Sequence, residues 1–325
     1  MNFFHPLRSL ACGLLLLLAA TAALAQGTPL RLLVGFPPGG STDVIARQLA
    51  LGLQQELGRS VVVENRAGAG GQIAAQALKA ARPDGNTLFL SNAHTVAIVP
   101  VTVLNPGFDV AKDFAPIGLV TVNPDALAVN PAVTGPLAGG LKDFTAWTQA
   151  GPGRASIGVP APGSAPEFAV SVIGRAAGAR LTAVPYRGDA PLVQDVVAGQ
   201  VPAGIGGVGA LLPYVEAGKL RLLAVNGPAR LPRFPDVPTY AELGIKGLEE
   251  VMFTALFAPA GTPAALLRQY HAALAKVAAS AAFSERIASL GVSASVGTPE
   301  ELGQRVERSR LVYERLAREA GFQPQ

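Results

Sequence analysis

Leu30–Leu57 reads LRLLVGFPPGGSTDVIARQLALGLQQEL, and its two halves follow different periods. Leu30–Phe36 is an apolar run of strand length. Pro37, Pro38, Gly39 and Gly40 interrupt it. Ser41, Thr42 and Asp43 are residue types that open helices. Ile45, Leu49, Leu53 and Leu57 then recur every fourth residue, which marks one buried helix face. The stretch predicts a buried strand, a glycine-rich turn and a helix. Such a turn can aim unpaired N–H groups and the positive end of a helix dipole at an anion. Asp43 is itself anionic. Its expected role is to accept N–H bonds at the helix start, and fixing a ligand-bridging water is the secondary reading.

The pattern repeats. Ser60–Glu64 reads as a second strand, Asn65–Gly71 as a second glycine-rich turn, Gln72–Ala81 as a helix and Thr87–Ser91 as a third strand. One such turn could merely relieve a tight connection. Two at equivalent positions favour an anion cradle. Strand and helix alternate with short connections, which predicts an α/β fold with a mostly parallel sheet. A second alternating series follows Pro131, with strands expected at Ser156–Val159, Leu181–Tyr186, Val201–Ile205 and Leu220–Asn226. Its helices are expected at Ala165–Ala177, Leu192–Ala198 and Leu211–Ala217.

Val251–Pro259 is a further apolar strand. Thr262-Pro263 opens a helix, and Thr298-Pro299-Glu300-Glu301 opens another with a capping-box pattern. One strand and two or three helices cannot close a core alone, so this part is expected to complete the first domain. Residues 26–127 plus 251–325 then form a discontinuous domain 1, and residues 128–250 form domain 2. The crossings are expected near Ala126–Asn130 and Val251–Phe257. Ligand sites in such folds lie at the carboxyl ends of the strands, in the cleft between domains.

Arg8, the apolar Leu10–Ala20 and Ala23-Leu24-Ala25 form an export signal, with cleavage expected after Ala25. Cys12 is the single cysteine, so the mature chain is expected to hold no disulfide, thiolate metal site or cysteine nucleophile. Without Arg8, 25 basic residues face 22 acidic ones, a balance of +3 that is too weak and too scattered for nucleic acid. His94 and His271 have no partner at zinc spacing. Gly204–Gly209 matches GxGxxG, but its strand contains Pro202 and no acid ends the next strand, so no dinucleotide is expected. No G-x-S-x-G or HExxH motif occurs, which argues against the competing class, an exported hydrolase. Neither cofactor nor metal is expected.

Several segments together resemble the Bug family, the solute receptors of tripartite tricarboxylate transporters. They are LRLLVGFPPGGSTDVIAR (Leu30–Arg47), VVENRAGAGG (Val62–Gly71), AARPDGNTL (Ala80–Leu88), VPYRG (Val184–Gly188), AGQV (Ala198–Val201), GKLRLLAV (Gly218–Val225) and LFAPAGTP (Leu256–Pro263). The resemblance implies a two-domain, periplasmic-binding-protein-like (type II) fold with two hinge strands, closing on a small organic carboxylate. The expected partner is a tripartite tricarboxylate transporter permease, a receptor that signals to a membrane sensor kinase is the alternative reading, and the chain is expected to be a monomer. By matching motif, the first-domain contacts are Phe36, Gly39, Gly40, Ser41, Thr42, Asp43, Ala69, Gly70, Ser91, Asn92 and Ala93. From the second domain come Ser164, Ala165, Tyr186, Arg187, Gly188, Asp189 and Gly207. Arg187 either binds a carboxylate or pairs with Asp189 or Asp195 at the surface. One departure stands out. Many family members carry an acid shortly after AGQV, but Pro202–Val208 has none. A small apolar floor there would suit a non-amino organic acid.

Overall fold

A computed structural model describes residues 28–325. The export signal and its cleavage site lie outside the described residues. Leu30–Val34 forms β1, with Leu30, Leu32, Leu33 and Val34 buried. Burial on both faces demands an interior strand, and β1 sits between β2 (Val61–Asn65) and β3 (Thr87–Asn92), parallel to both. Helix α1 (Ser41–Leu57) lays Ile45, Leu49 and Leu53 into the core and ends on the left-handed Gly58. Helix α2 (Gln72–Lys79) follows the second glycine turn.

The first sheet has six strands in the order β11-β4-β10-β3-β1-β2, where β4 is Phe114–Asn123, β10 Met252–Pro259 and β11 Ser293–Ala294. The second has five, β7-β6-β8-β5-β9, where β5 is Asp125–Val129, β6 Ser156–Val159, β7 Thr182–Pro185, β8 Ala203–Gly207 and β9 Arg221–Val225. Helices α3 (Leu141–Thr148), α4 (Ala165–Ala177), α5 (Asp189–Val197) and α6 (Val208–Glu216) flank it. Each sheet is mixed rather than mostly parallel. Its β-α-β half is parallel, but β10 runs antiparallel to β3 and β4, and β5 antiparallel to β8 and β9. Strands that carry the chain between lobes enter each sheet against its direction.

The outward crossing lies at Pro124, earlier than Ala126–Asn130. Asn123 still pairs with Met252 in the first sheet, while Asp125 already pairs with Gly207 in the second. The return runs through residues 226–251. Phe253–Phe257 lies inside β10 and is not a crossing. Asn226 ties the two passages together. Its N–H donates to the Asp125 carbonyl (3.0 Å), its side-chain oxygen accepts the Asp125 N–H (2.8 Å), and its amide nitrogen donates to the Glu250 carbonyl (3.1 Å).

Helix α7 (Ala264–Ala279) packs Tyr270, Leu274 and Val277 against α1, and α8 (Ala281–Ala288) adds Phe283 and Ile287 to that core. The last helix, α9 (Pro299–Glu319), carries the expected capping box of Thr298 and Glu301. It serves both lobes. Leu302 and Val306 join the first core, whereas Tyr313, Leu316 and Ala317 join Phe144, Phe168 and Tyr240 of the second. The second half of α9 therefore bridges the lobes, because its core also takes in Ala97 and Ile98 of the first. Its apolar stripe continues past the end of the first core and is covered from both lobes.

Candidate functional site between the lobes

The carboxyl ends of β1, β2 and β3 lie side by side, which brings three turns together. Asn65, at the end of β2, donates to the Phe36 carbonyl (3.0 Å) and to Asp43 Oδ1 (2.9 Å). Asp43 Oδ2 accepts the Gly39 N–H and Arg47 Nε, each at 2.9 Å. Asp43 is therefore a brace on the turn before the helix rather than a cap on the helix's own amides. Its carboxyl is buried, which raises its pKa, but bonds from Arg47, Gly39 and Asn65 outweigh burial and hold it below the usual range. Gly40 occupies the N-cap position and has no side chain to satisfy the helix start. Ser41, Thr42 and Asp43 lie too early in α1 for intrahelical acceptors, and their N–H groups donate to no other described residue. Ser41 is exposed while Thr42 and Asp43 are buried, so the helix start meets solvent over a firm base.

The second turn folds under the first. A Cβ on Gly35 would stand 2.7 Å from the Gly71 Cα, so close approach of the two turns requires glycine there. Gly70 and Gly71 take positive φ, as does Ala69 (φ 48°). Thr95 Oγ1 donates to the Gly70 carbonyl at 2.8 Å. Asn92 Oδ1 in turn accepts the Thr95 N–H (3.2 Å) and caps the helical segment after β3. His94 lies against Gly70, and burial lowers its pKa to about 4, which leaves a neutral imidazole at the wall. Ser91 and Ala93 are buried, so Asn92 is the more accessible of the three residues expected there.

The second lobe repeats the device. Ser164 caps α4, accepting the Glu167 N–H and donating to the Ala161 carbonyl (2.6 Å). That donation occupies the hydroxyl expected to face ligand. Glu167 accepts the Gly163 N–H four residues back, as Asp43 does for Gly39. Ala165, at the first position of α4, adds its backbone to this turn. The neighbouring turn is hung from it, since the Gly188 N–H donates to the Pro160 carbonyl and the Tyr186 N–H to the Val159 carbonyl, both at 2.8 Å. The Tyr186 hydroxyl donates to Asp195 (2.9 Å), and Asp189 accepts the Gly207 N–H (3.2 Å). The surface pairing of Arg187 with either acid does not form, and Arg187 makes no salt bridge among the described residues. Asp125 lies at the same end of the second sheet. Burial and the nearby Asp189 charge push it up to about 8.

The GxGxxG glycines serve packing. A Cβ on Gly204 would meet Val196 and Leu192, and one on Gly206 would meet Asp189. His271 bonds the Ile117 carbonyl (2.9 Å), away from these turns. Among the described residues no cluster of histidine, cysteine or acidic side chains could hold a metal ion. Sequence reasoning overlooked Asn65, Thr95 and Glu167, which support the turns without lining them. Asn65 stood inside a quoted motif. Thr95 carried no local signal, whereas Ser164-Ala165-Pro166-Glu167 has the capping-box spacing that points to Glu167.

The model of the tripartite tricarboxylate transporter family receptor matches residues 45–321. Protein BugT of Bordetella pertussis is 35% identical over 274 residues, which cover 84% of this chain and 83% of that protein. An R. palustris protein solved with adipate superposes with a TM-score of 0.82 at 30% identity, covering 92% of this chain and 99% of the other. The periplasmic binding protein BugD gives 0.79 at 30% identity, covering 91% and 99%. The braced glycine turns at the strand ends of two lobes and these matches agree: the chain belongs to the tripartite tricarboxylate transporter family of solute receptors.

Proposed function

We propose that this chain is a periplasmic receptor, exported by cleavage after Ala25, that holds a small organic carboxylate between its lobes and delivers it to a tripartite tricarboxylate-type permease. The observation that carries this reading is the start of α1. Three N–H groups without acceptors among the described residues stand at a helix N-terminus, on a turn held by Asp43 and Asn65. The adipate in a structural neighbour supports a carboxylate ligand. Phe36, Gly39–Asp43, Ala69-Gly70 and Asn92 form the first wall, and Ser164-Ala165, Tyr186–Gly188 and Gly207 the second. The lobes divide at Pro124 and within residues 226–251, with α9 laid across both. The role is binding, since the groups at the turns are amides, hydroxyls and small residues rather than a nucleophile with a base.

The test is thermal and chemical denaturation of the mature chain with a panel of mono-, di- and tricarboxylates. A ligand at 100 times its Kd stabilises by about 2.7 kcal/mol. A flat panel, or turnover of ester and amide substrates, refutes the reading.

A further inference from the structure

Asp189 is the first residue of α5, directly after the Tyr186–Gly188 turn. Its Oδ1 accepts the Gly207 N–H at 3.2 Å. Its Oδ2 accepts no hydrogen bond from a described residue. The carboxylate lies over the end of β8, where side chains are missing. A Cβ on Gly206 would stand 2.6 Å from Oδ1, and one on Gly207 would stand 3.7 Å from Oδ2. The acid that Pro202–Val208 lacks is thus supplied by a residue from the preceding helix, and the glycines leave the room it needs. The floor of this lobe is not apolar, which corrects the expectation drawn from the glycine-rich stretch.

No lysine or arginine forms a salt bridge with Asp189 among the described residues, and its ionisable neighbour is another acid, Asp125. A half-buried carboxylate beside a second acid, with one backbone donor and no cation, is incompletely satisfied. Burial raises its pKa although the Gly207 bond pulls the other way. A ligand N–H or O–H placed here would supply the absent partner as a charge-assisted bond. A second ligand carboxylate placed here would meet like charge.

Building on the receptor reading above, we propose that Asp189 makes the site select organic acids that carry a hydrogen-bond donor, a hydroxyl or an ammonium, on their carbon chain. Attraction for the donor and repulsion of a bare carboxylate act in the same direction.

Calorimetric titration with matched acids tests this: succinate, malate and aspartate, and adipate with its 2-hydroxy and 2-amino forms. The wild type should bind the hydroxy or the amino member at least tenfold tighter than the unsubstituted acid of the same length, and which of the two wins identifies the donor. Asp189→Asn keeps the shape and an oxygen for the Gly207 N–H, and Asp189→Ala removes the group. Both should reduce the preference to within threefold, with the unsubstituted acid bound as well or better. A wild-type preference near one overturns the proposal, as does a preference that survives both substitutions. A purely structural Asp189 would weaken all members equally, which also overturns it. Binding of unsubstituted acids without discrimination leaves the receptor reading standing, whereas binding of no acid refutes both.

Discussion

Replacing Asp43 with alanine removes the brace beneath the first turn. The carboxylate is only 2% exposed and receives three hydrogen bonds, from Gly39, Arg47 and Asn65, each at 2.9 Å. The Arg47 side chain is 53% exposed, so solvent screens its pair and the pair adds little to the sum. The Gly39 and Asn65 bonds are charge-assisted and contribute about 1.5 kcal/mol each. The sum predicts a loss of about 3 kcal/mol in urea denaturation at neutral pH. Asp43→Asn keeps the volume and one acceptor oxygen, and should lose roughly half as much. The pKa of Asp43 is lowered in the folded state, so its stabilisation is fully present above the unfolded value of 3.8 and is lost as pH falls through the folded value. Wild type should therefore lose more stability than Asp43→Ala on acidification below 3.8. Affinity for the best carboxylate should fall at least tenfold, because the amides of Ser41 and Thr42 lose their fixed base. A loss under about 1 kcal/mol with affinity unchanged would show that the turn stands without its brace.

Arg187→Ala should weaken carboxylate binding tenfold or more in calorimetry, the contribution of one charge-assisted bond, and unchanged affinity would return Arg187 to the plain surface. Gly209→Ala places a methyl 1.8 Å from the Leu290 carbonyl oxygen, where the second lobe touches the first beside the hinge. It should cost about 1–3 kcal/mol and change the small-angle scattering profile; wild-type stability and scattering would refute a tight contact there. Asp125 has a folded pKa of about 8, raised from 3.8, so its contribution is fully present below 3.8 and is lost as pH rises toward 8. Asp125→Asn should flatten the resulting decline, on the order of a few kcal/mol between pH 4 and 8, in denaturation curves; parallel curves would refute it.

Much of the frame around the candidate site was legible because its signals are local. Ile45, Leu49 and Leu53 declared the buried face of α1, and Pro37–Gly40 declared the turn before it. Thr298 and Glu301 declared a capping box three residues apart. The partners of these turns were harder to see. Thr95 reaches Gly70 across 25 residues and Asn65 reaches Phe36 across 29, and nothing in either neighbourhood names the other. The start of α5 was missed by three residues because Pro191 reads as a break, although proline fits a first helical turn.

By itself the sequence determined the alternation of strand and helix and the two glycine turns, since period, proline and glycine act within one turn or one strand. The tertiary structure alone decided that both sheets are mixed, that the chain crosses at Pro124, that α9 serves both lobes and that Asp189 covers Gly206. Those outcomes depend on which distant surfaces remain to be buried once local elements exist, and burial is a property of the whole assembled chain.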